Sequence, residues 1–275
     1  MSAPVEAAAV PDASGPAVAR NERLRLLLRS ATFISGMIIV LFWIGCALFG
    51  ARLVPYDPYS GDLLNTLGPP SADNWLGTDQ LGRDVFSRVI VGARDILTIA
   101  PLATLLGTVL GTALGLITGY FRGIVDDIMS RIIDAVNALP LIIIALLALV
   151  ALGSSNSTVV IVIGAIFAPI IARTVRSAVL SERELDYVAA AKLRGENAFY
   201  IMLVEILPNV LPPILVETTV RLGYAIFTVA TLSFLGFGIQ PPSADWGLAI
   251  SDSYGLIDGG FWRSEEHTSE LQSQR

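Results

Sequence analysis

Long apolar runs decide what this chain can be. Residues 31–50 carry no charged side chain, and comparable runs follow at about residues 96–120, 132–152, 158–175 and 210–237. A helix rising about 1.5 Å per residue needs about 20 apolar residues to cross a hydrocarbon layer of about 30 Å. Inside lipid every backbone N–H and C=O must be paired within the chain, so runs of this length must be helical. The expected fold is all-α: a polytopic membrane protein with five transmembrane helices in a domain over residues 31–262.

Composition removes several function classes. Of 275 residues 53% are apolar and 15% charged, against roughly a quarter charged in soluble domains. The net charge of -6 excludes a basic nucleic-acid binder. Cys46 is the sole cysteine, so no internal disulfide forms; His267 is the sole histidine, which excludes a histidine metal site or a Ser–His triad. Lys192 is the sole lysine and Leu193 follows it, so no Gly-Lys-Ser/Thr phosphate loop exists and the chain does not hydrolyse ATP by itself. The scarcity of His, Cys and Lys likewise weighs against a membrane-embedded enzyme, and no segment looks like a channel selectivity filter.

Charge sets the expected orientation. Residues 1–30 read as a disordered cytoplasmic arm, Ala/Pro-rich at first and then basic at Arg20, Arg23, Arg25 and Arg29. The run that follows exceeds the roughly 7–15 residues of a signal-peptide core, so it is expected to be retained as the first helix. Residues 51–94, with Pro55, Pro58, Pro69 and Pro70, are expected outside as a loop capped by a short helix, although Arg83, Arg88 and Arg94 run against the positive-inside rule. Gly107, Gly111 and Gly115 recur every four residues; this fits either close helix–helix approach or the general abundance of glycine in membrane helices. Arg122, Asp126, Asp127 and Arg131 form a cytoplasmic turn, Pro140 kinks the third span, and residues 153–157 turn outside. Arg173, Arg176, Arg183, Lys192 and Arg194 place the loop over residues 178–209 in the cytoplasm. An outer loop containing Pro241, Pro242 and Trp246 follows the fifth span.

Within the cytoplasmic loop, residues 181–194 are helix-permissive and Gly195 is a suitable stop. Asn197 is placed to cap a second short helix running toward Ile206 and ended by Pro208. On the fifth span Glu217 and Arg221 lie four residues apart and share a face. They are either part of a translocation path or a self-neutralising pair at a subunit interface.

The string Leu185-Asp186-Tyr187-Val188-Ala189-Ala190-Ala191-Lys192-Leu193-Arg194-Gly195, followed by Ile206-Leu207-Pro208-Asn209, resembles the coupling loop, or Glu-Ala-Ala motif, of ABC-transporter permeases. Leu76-Gly77-Thr78-Asp79-Gln80-Leu81-Gly82-Arg83-Asp84 with Gly92-Ala93-Arg94, Asp134 with Pro140, and residues 232–242 closing at Trp246-Gly247 are similar to segments of the dipeptide, oligopeptide and nickel branch. The likeness covers nearly all of residues 20–262. It implies a permease subunit of an ATP-driven importer in the bacterial inner membrane, translocating peptides or a similar small solute, with permeases for nickel or glutathione as alternatives. It further implies a second permease subunit, two ATP-binding subunits that use ATP and Mg2+, an extracytoplasmic solute-binding protein, surrounding lipid, and no cofactor on this chain. The coupling role would fall on Asp186, Tyr187, Val188, Ala190, Ala191, Gly195, Ile206, Leu207 and Pro208, with Tyr187, Val188 and Leu193 offering apolar contact. Two departures stand out: Ala189 occupies the place of the motif's glutamate, with Asp186 a nearby carboxylate, and Val229 stands where the branch commonly has an acid. The pattern calls for a sixth helix, so the chain is expected to be truncated before it. Residues 263–275 resemble an in-frame translation of a sequencing adapter and are read as a non-native tail.

Overall fold

The computed structural model describes residues 28–258, so the arm before residue 28 and the tail over residues 263–275 lie outside the described residues. All regular structure among them is helical. The chain divides into two units, Met1–Gly45 and Cys46–Arg275. The helix α1, Ala31–Leu53, begins in the first. There Ile38, Ile39, Val40, Leu41 and Phe42 are exposed, an all-round apolar surface suited to lipid rather than water.

In the second unit, helix α2 runs over Val85–Phe121 and starts before the expected span because Asp84 caps it. The Asp84 carboxylate accepts from the Ser87 N–H at 2.8 Å, the Ser87 hydroxyl at 2.6 Å and the Asn74 amide at 3.0 Å. Upstream, Asp79 accepts from the backbone N–H groups of Leu81 and Arg83, each at 2.9 Å, and from Arg83 Nε at 2.7 Å. Buried Arg88 reaches Asp79 at 3.5 Å and donates to the carbonyls of Pro58 and Ser243. Two of the three arginines that run against the charge rule thus share the Asp79 carboxylate, and Asp252 lies 4.0 Å from Arg83.

Helix α3, Ile124–Asn137, and helix α4, Leu141–Leu152, occupy the place of the expected third span but meet at 90°. The bend expected at Pro140 is thus a break between two helices that together make one bent apolar segment. Pro140 forces Leu139 out of helical geometry and sits just before the first residue of α4. Twelve residues make α4 about 18 Å long, short of a bilayer crossing. The charged helix α3 pairs with helix α5, Asn156–Glu182: Asp126 takes Arg176 at 2.6 and 2.7 Å, and Asp134 takes Arg173 at 2.9 Å.

The main seam of this unit joins α2 to α5, with Phe167, Ile171, Val175 and Val179 buried along it. A Cβ on Gly111 would stand 2.7 Å from the Ala168 carbonyl, and one on Gly115 would stand 2.5 Å from Val175 Cβ. Close approach is therefore what these glycines provide, and Gly119, 2.7 Å from Val179 Cβ by the same construction, extends the row.

Three more helices lie among the described residues of the unit: α6 over Asp186–Leu193, α7 over Ala198–Phe234 and α8 over Trp246–Asp258. Helix α8 replaces part of the expected outer loop. Asp245 starts it, its carboxylate accepting from Leu248 N at 2.9 Å, and the Trp246 indole donates to the Val89 carbonyl at 2.9 Å. Among the described residues four helices are long and apolar enough to cross a membrane, or five if α3 and α4 count as one bent span.

Candidate functional site

The cytoplasmic-loop segment folds into a small helix seated between two long ones. Residues 183–185 turn the chain out of α5, and α6 begins with Leu185 as its cap residue. Gly195 adopts φ +79° and ends the short element, a conformation that side-chain-bearing residues avoid. The Asn197 side chain accepts from Tyr200 N at 2.8 Å and starts α7.

Pro208 does not end a second short helix, contrary to the sequence-based expectation. Residues Ile201–Ile206 slip into a π register, with the Leu207 N–H bonding to the Met202 carbonyl, and α7 continues through Pro208, Pro212 and Pro213. Pro208 has no N–H to donate, and the wider turn immediately before it accommodates that loss. Asn209 Nδ2 donates to the Glu205 carbonyl at 2.8 Å.

The residues singled out from the sequence divide by face. Val188, Ala191 and Ile206 are fully buried, so their contacts hold α6 in the chain's own core; Val188 offers nothing outward. Tyr187 is half-buried, its hydroxyl donating to Glu182 Oε2 at 2.7 Å. Burial, and then the Glu182 carboxylate, push its phenol up to about 12. Asp186, Ala190, Gly195 and Pro208 are exposed, and Leu207 is half-buried. The departure residue Ala189 is exposed beside Ala190. Leu193 is 90% exposed and Phe199 71%, an apolar pair on the turn that sequence reading found only in part. The missed signal for Phe199 was a large aromatic two residues after a helix cap in an otherwise polar turn.

Charge fastens α6 at its far end. Arg194 pairs with Glu205 of the π segment at 2.8 Å and faces Glu196 at 3.8 Å. On α7 Arg221 Nε meets Glu217 Oε1 at 2.6 Å, with side chains 18% and 17% exposed, and the guanidinium lies 4.9 Å from the Tyr224 ring centre. Glu217 and Arg221 thus form a pair with each other. They lie on α7 well beyond the prolines that follow the π segment and are no part of the α6 cluster. Val229 is buried. Among the described residues no three His, Cys, Asp or Glu side chains converge where a metal ion could sit.

Comparison with known proteins gives this arrangement its context. The profile of the family described as "Binding-protein-dependent transport system inner membrane component" matches residues 111–262. The dipeptide transport system permease protein of Bacillus subtilis (strain 168) is 37% identical over 86% of this chain and 74% of its own length. The glutathione transport system permease protein of Pectobacterium atrosepticum is 38% identical over 85% of this chain and 78% of its own. A chain of the inward-facing methionine ABC transporter MetNI shares the fold, with a TM-score of 0.53 at 20% identity, covering 63% of this chain and 82% of that one. The chain belongs to the binding-protein-dependent transport system inner membrane component family: it is a multi-pass membrane permease subunit of the ABC-importer type.

Proposed function

We propose that this permease imports short peptides delivered by an extracytoplasmic binding protein, and that α6 is the element on which a separate ATP-binding subunit acts. The observation carrying the second part is the two-sidedness of α6. Its inner face is fully buried at Val188 and Ala191, while Ala189, Ala190 and Leu193 leave an apolar strip open on the other side, and Phe199 is exposed at the start of α7. A bare apolar strip of small and large side chains fits a groove in a partner protein. The arginines at this end, Arg173, Arg176, Arg183 and Arg194, favour the cytoplasmic side, and with it a cytoplasmic N-terminus.

The peptide assignment rests on the relatives, which are named for dipeptide and glutathione transport. Those solutes share an α-amino group, a peptide link and a carboxylate. A second permease subunit, two ATP-binding subunits and the binding protein complete the assembly, and ATP with Mg2+ acts on the partners alone. ATP binding favours one access state and hydrolysis restores the other, a shift of population driven by differential affinity.

The test is uptake of a radiolabelled dipeptide by proteoliposomes holding the full transporter, with glutathione and free amino acids as competitors. Competition by peptides and not by amino acids is expected; the reverse order overturns the substrate class. If Glu217 and Arg221 lie on the path, Glu217→Gln with Arg221→Gln changes that order while assembly stays normal. An unchanged order makes them a structural pair.

A further inference from the structure

The last turn of α2 is gripped by two cations from different elements. Arg183, at the end of α5, donates from Nη1 to the Tyr120 carbonyl, and its guanidinium stands 6.0 Å from the centre of the Tyr120 ring. Lys192, in the last turn of α6, places its ammonium 5.7 Å from the same centre. Phe121 meets the ring edge-on at 5.3 Å between centres. Just past the helix, Arg122 pairs with Glu184 at 3.0 Å, and Glu184 also faces Arg183 at 3.5 Å. The end of α2 is thereby tied to the α5–α6 turn, and α6 reaches it through Lys192.

That contact matters because of where α6 is otherwise attached. The peptide chain joins it to α5 through residues 183–185 and, about 12 Å along, to α7 through residues 194–197. A short helix hung between two short linkers has no chain connection to α2, so only side-chain contact can tie the two together. Val188 and Ala191 seat its inner face with small side chains, and Arg194 ties its far end to α7 through Glu205. Lys192 supplies the matching tie to α2, a helix far away in sequence. Lys192 in α6 and Arg194 just past it therefore go to different long helices, one to an aromatic face and one to a carboxylate.

We infer that Lys192 and Tyr120 form the link through which a displacement of α6 is passed to α2, so that Tyr120 is a positioning residue of the transport cycle. The inference rests on α6 being the site on which the ATP-binding subunit acts. A cation over a ring suits this task. The ring face has no single preferred donor angle, so the flexible lysine stem can follow a moving helix without losing the attraction.

The experiment uses the full transporter in proteoliposomes and measures ATP hydrolysis stimulated by the binding protein, alongside the yield of ATP-binding subunits that co-purify. Lys192→Gln and Tyr120→Leu are each expected to lower the stimulated rate roughly two- to fivefold, the weight of an exposed cation–π contact, with the subunits still bound. Lys192→Gln combined with Tyr120→Leu should be no lower than Tyr120→Leu alone, and Lys192→Arg should restore the rate. Lys192→Gln is on an exposed position, so it reads the link even if Tyr120→Leu folds poorly. An unchanged rate in Lys192→Gln, a double loss equal to the product of the single ones, or loss of the ATP-binding subunits from Lys192→Gln each overturns the inference. If those subunits stay bound when Ala190 is replaced by Trp, it is the docking reading that has failed, and the link falls with it.

Discussion

Gly115 and Gly223 are both helical glycines, yet they sit in opposite situations. A Cβ on Gly115 would meet Val175 Cβ at 2.5 Å and the Ala172 carbonyl at 2.8 Å, while one on Gly223 meets nothing within 4 Å. Gly115→Ala is expected to destabilise the purified chain by about 1–3 kcal/mol through overpacking. Gly223→Ala should stabilise it by about 0.5–1 kcal/mol by removing unfolded-state freedom. Unfolding midpoints in detergent check both signs. Tyr187 supplies a titration at the same scale. Its phenol ionises at about 12, above an ordinary value of 10.0, because burial and the Glu182 carboxylate disfavour the phenolate. Its contribution to stability is therefore whole below pH 10 and lost as pH rises toward 12. Tyr187→Phe should abolish that alkaline limb and cost about 1 kcal/mol at neutral pH from the lost hydrogen bond. A pH series of denaturation midpoints for the two proteins decides it.

Helix boundaries carry their own prediction. Asp84 satisfies the Ser87 N–H in the first turn of α2 while also binding the Ser87 hydroxyl and Asn74, so Asp84→Ala should lower stability by about 1–2 kcal/mol in the same denaturation assay. Capping is also where the sequence was most legible. Asn197 at a helix start and Gly195 at a helix end follow from single-residue chemistry, and both occupy those roles. The all-α architecture was legible for a similar reason, since long apolar runs allow little else. What could not be read were features set by neighbours in space. Nothing in the order of residues tells that Asp126 and Asp134 of α3 find Arg176 and Arg173 on α5, some 40–50 residues away in the chain. The π turn before Pro208 is invisible to a rule that treats proline as a stop. For Val188, composition marks an apolar contact but cannot say whether it faces inward. Helix α8 was missed because thirteen residues after a Pro-Pro pair show no membrane-length run.

Assembly is the scale at which the two faces of α6 can be told apart. Leu193→Asp and Phe199→Asp place charge on exposed apolar positions, so both should reduce co-purification of the ATP-binding subunits at least tenfold without moving the unfolding midpoint. Val188→Asp buries an unpaired carboxylate and should lower the midpoint first. If instead the outward variants bind normally, the strip serves another surface. The glycine row between α2 and α5 has a mechanical consequence for such an assembly. Two rods that can slide past each other bend separately, each as weak as its own thickness allows. Side chains of α5 sunk against bare backbone on α2 resist that sliding, so the pair bends as one thicker beam. With α2 about 55 Å long, longer than the bilayer is thick, a push at one end of such a beam emerges at the other as tilt and is not absorbed as curvature.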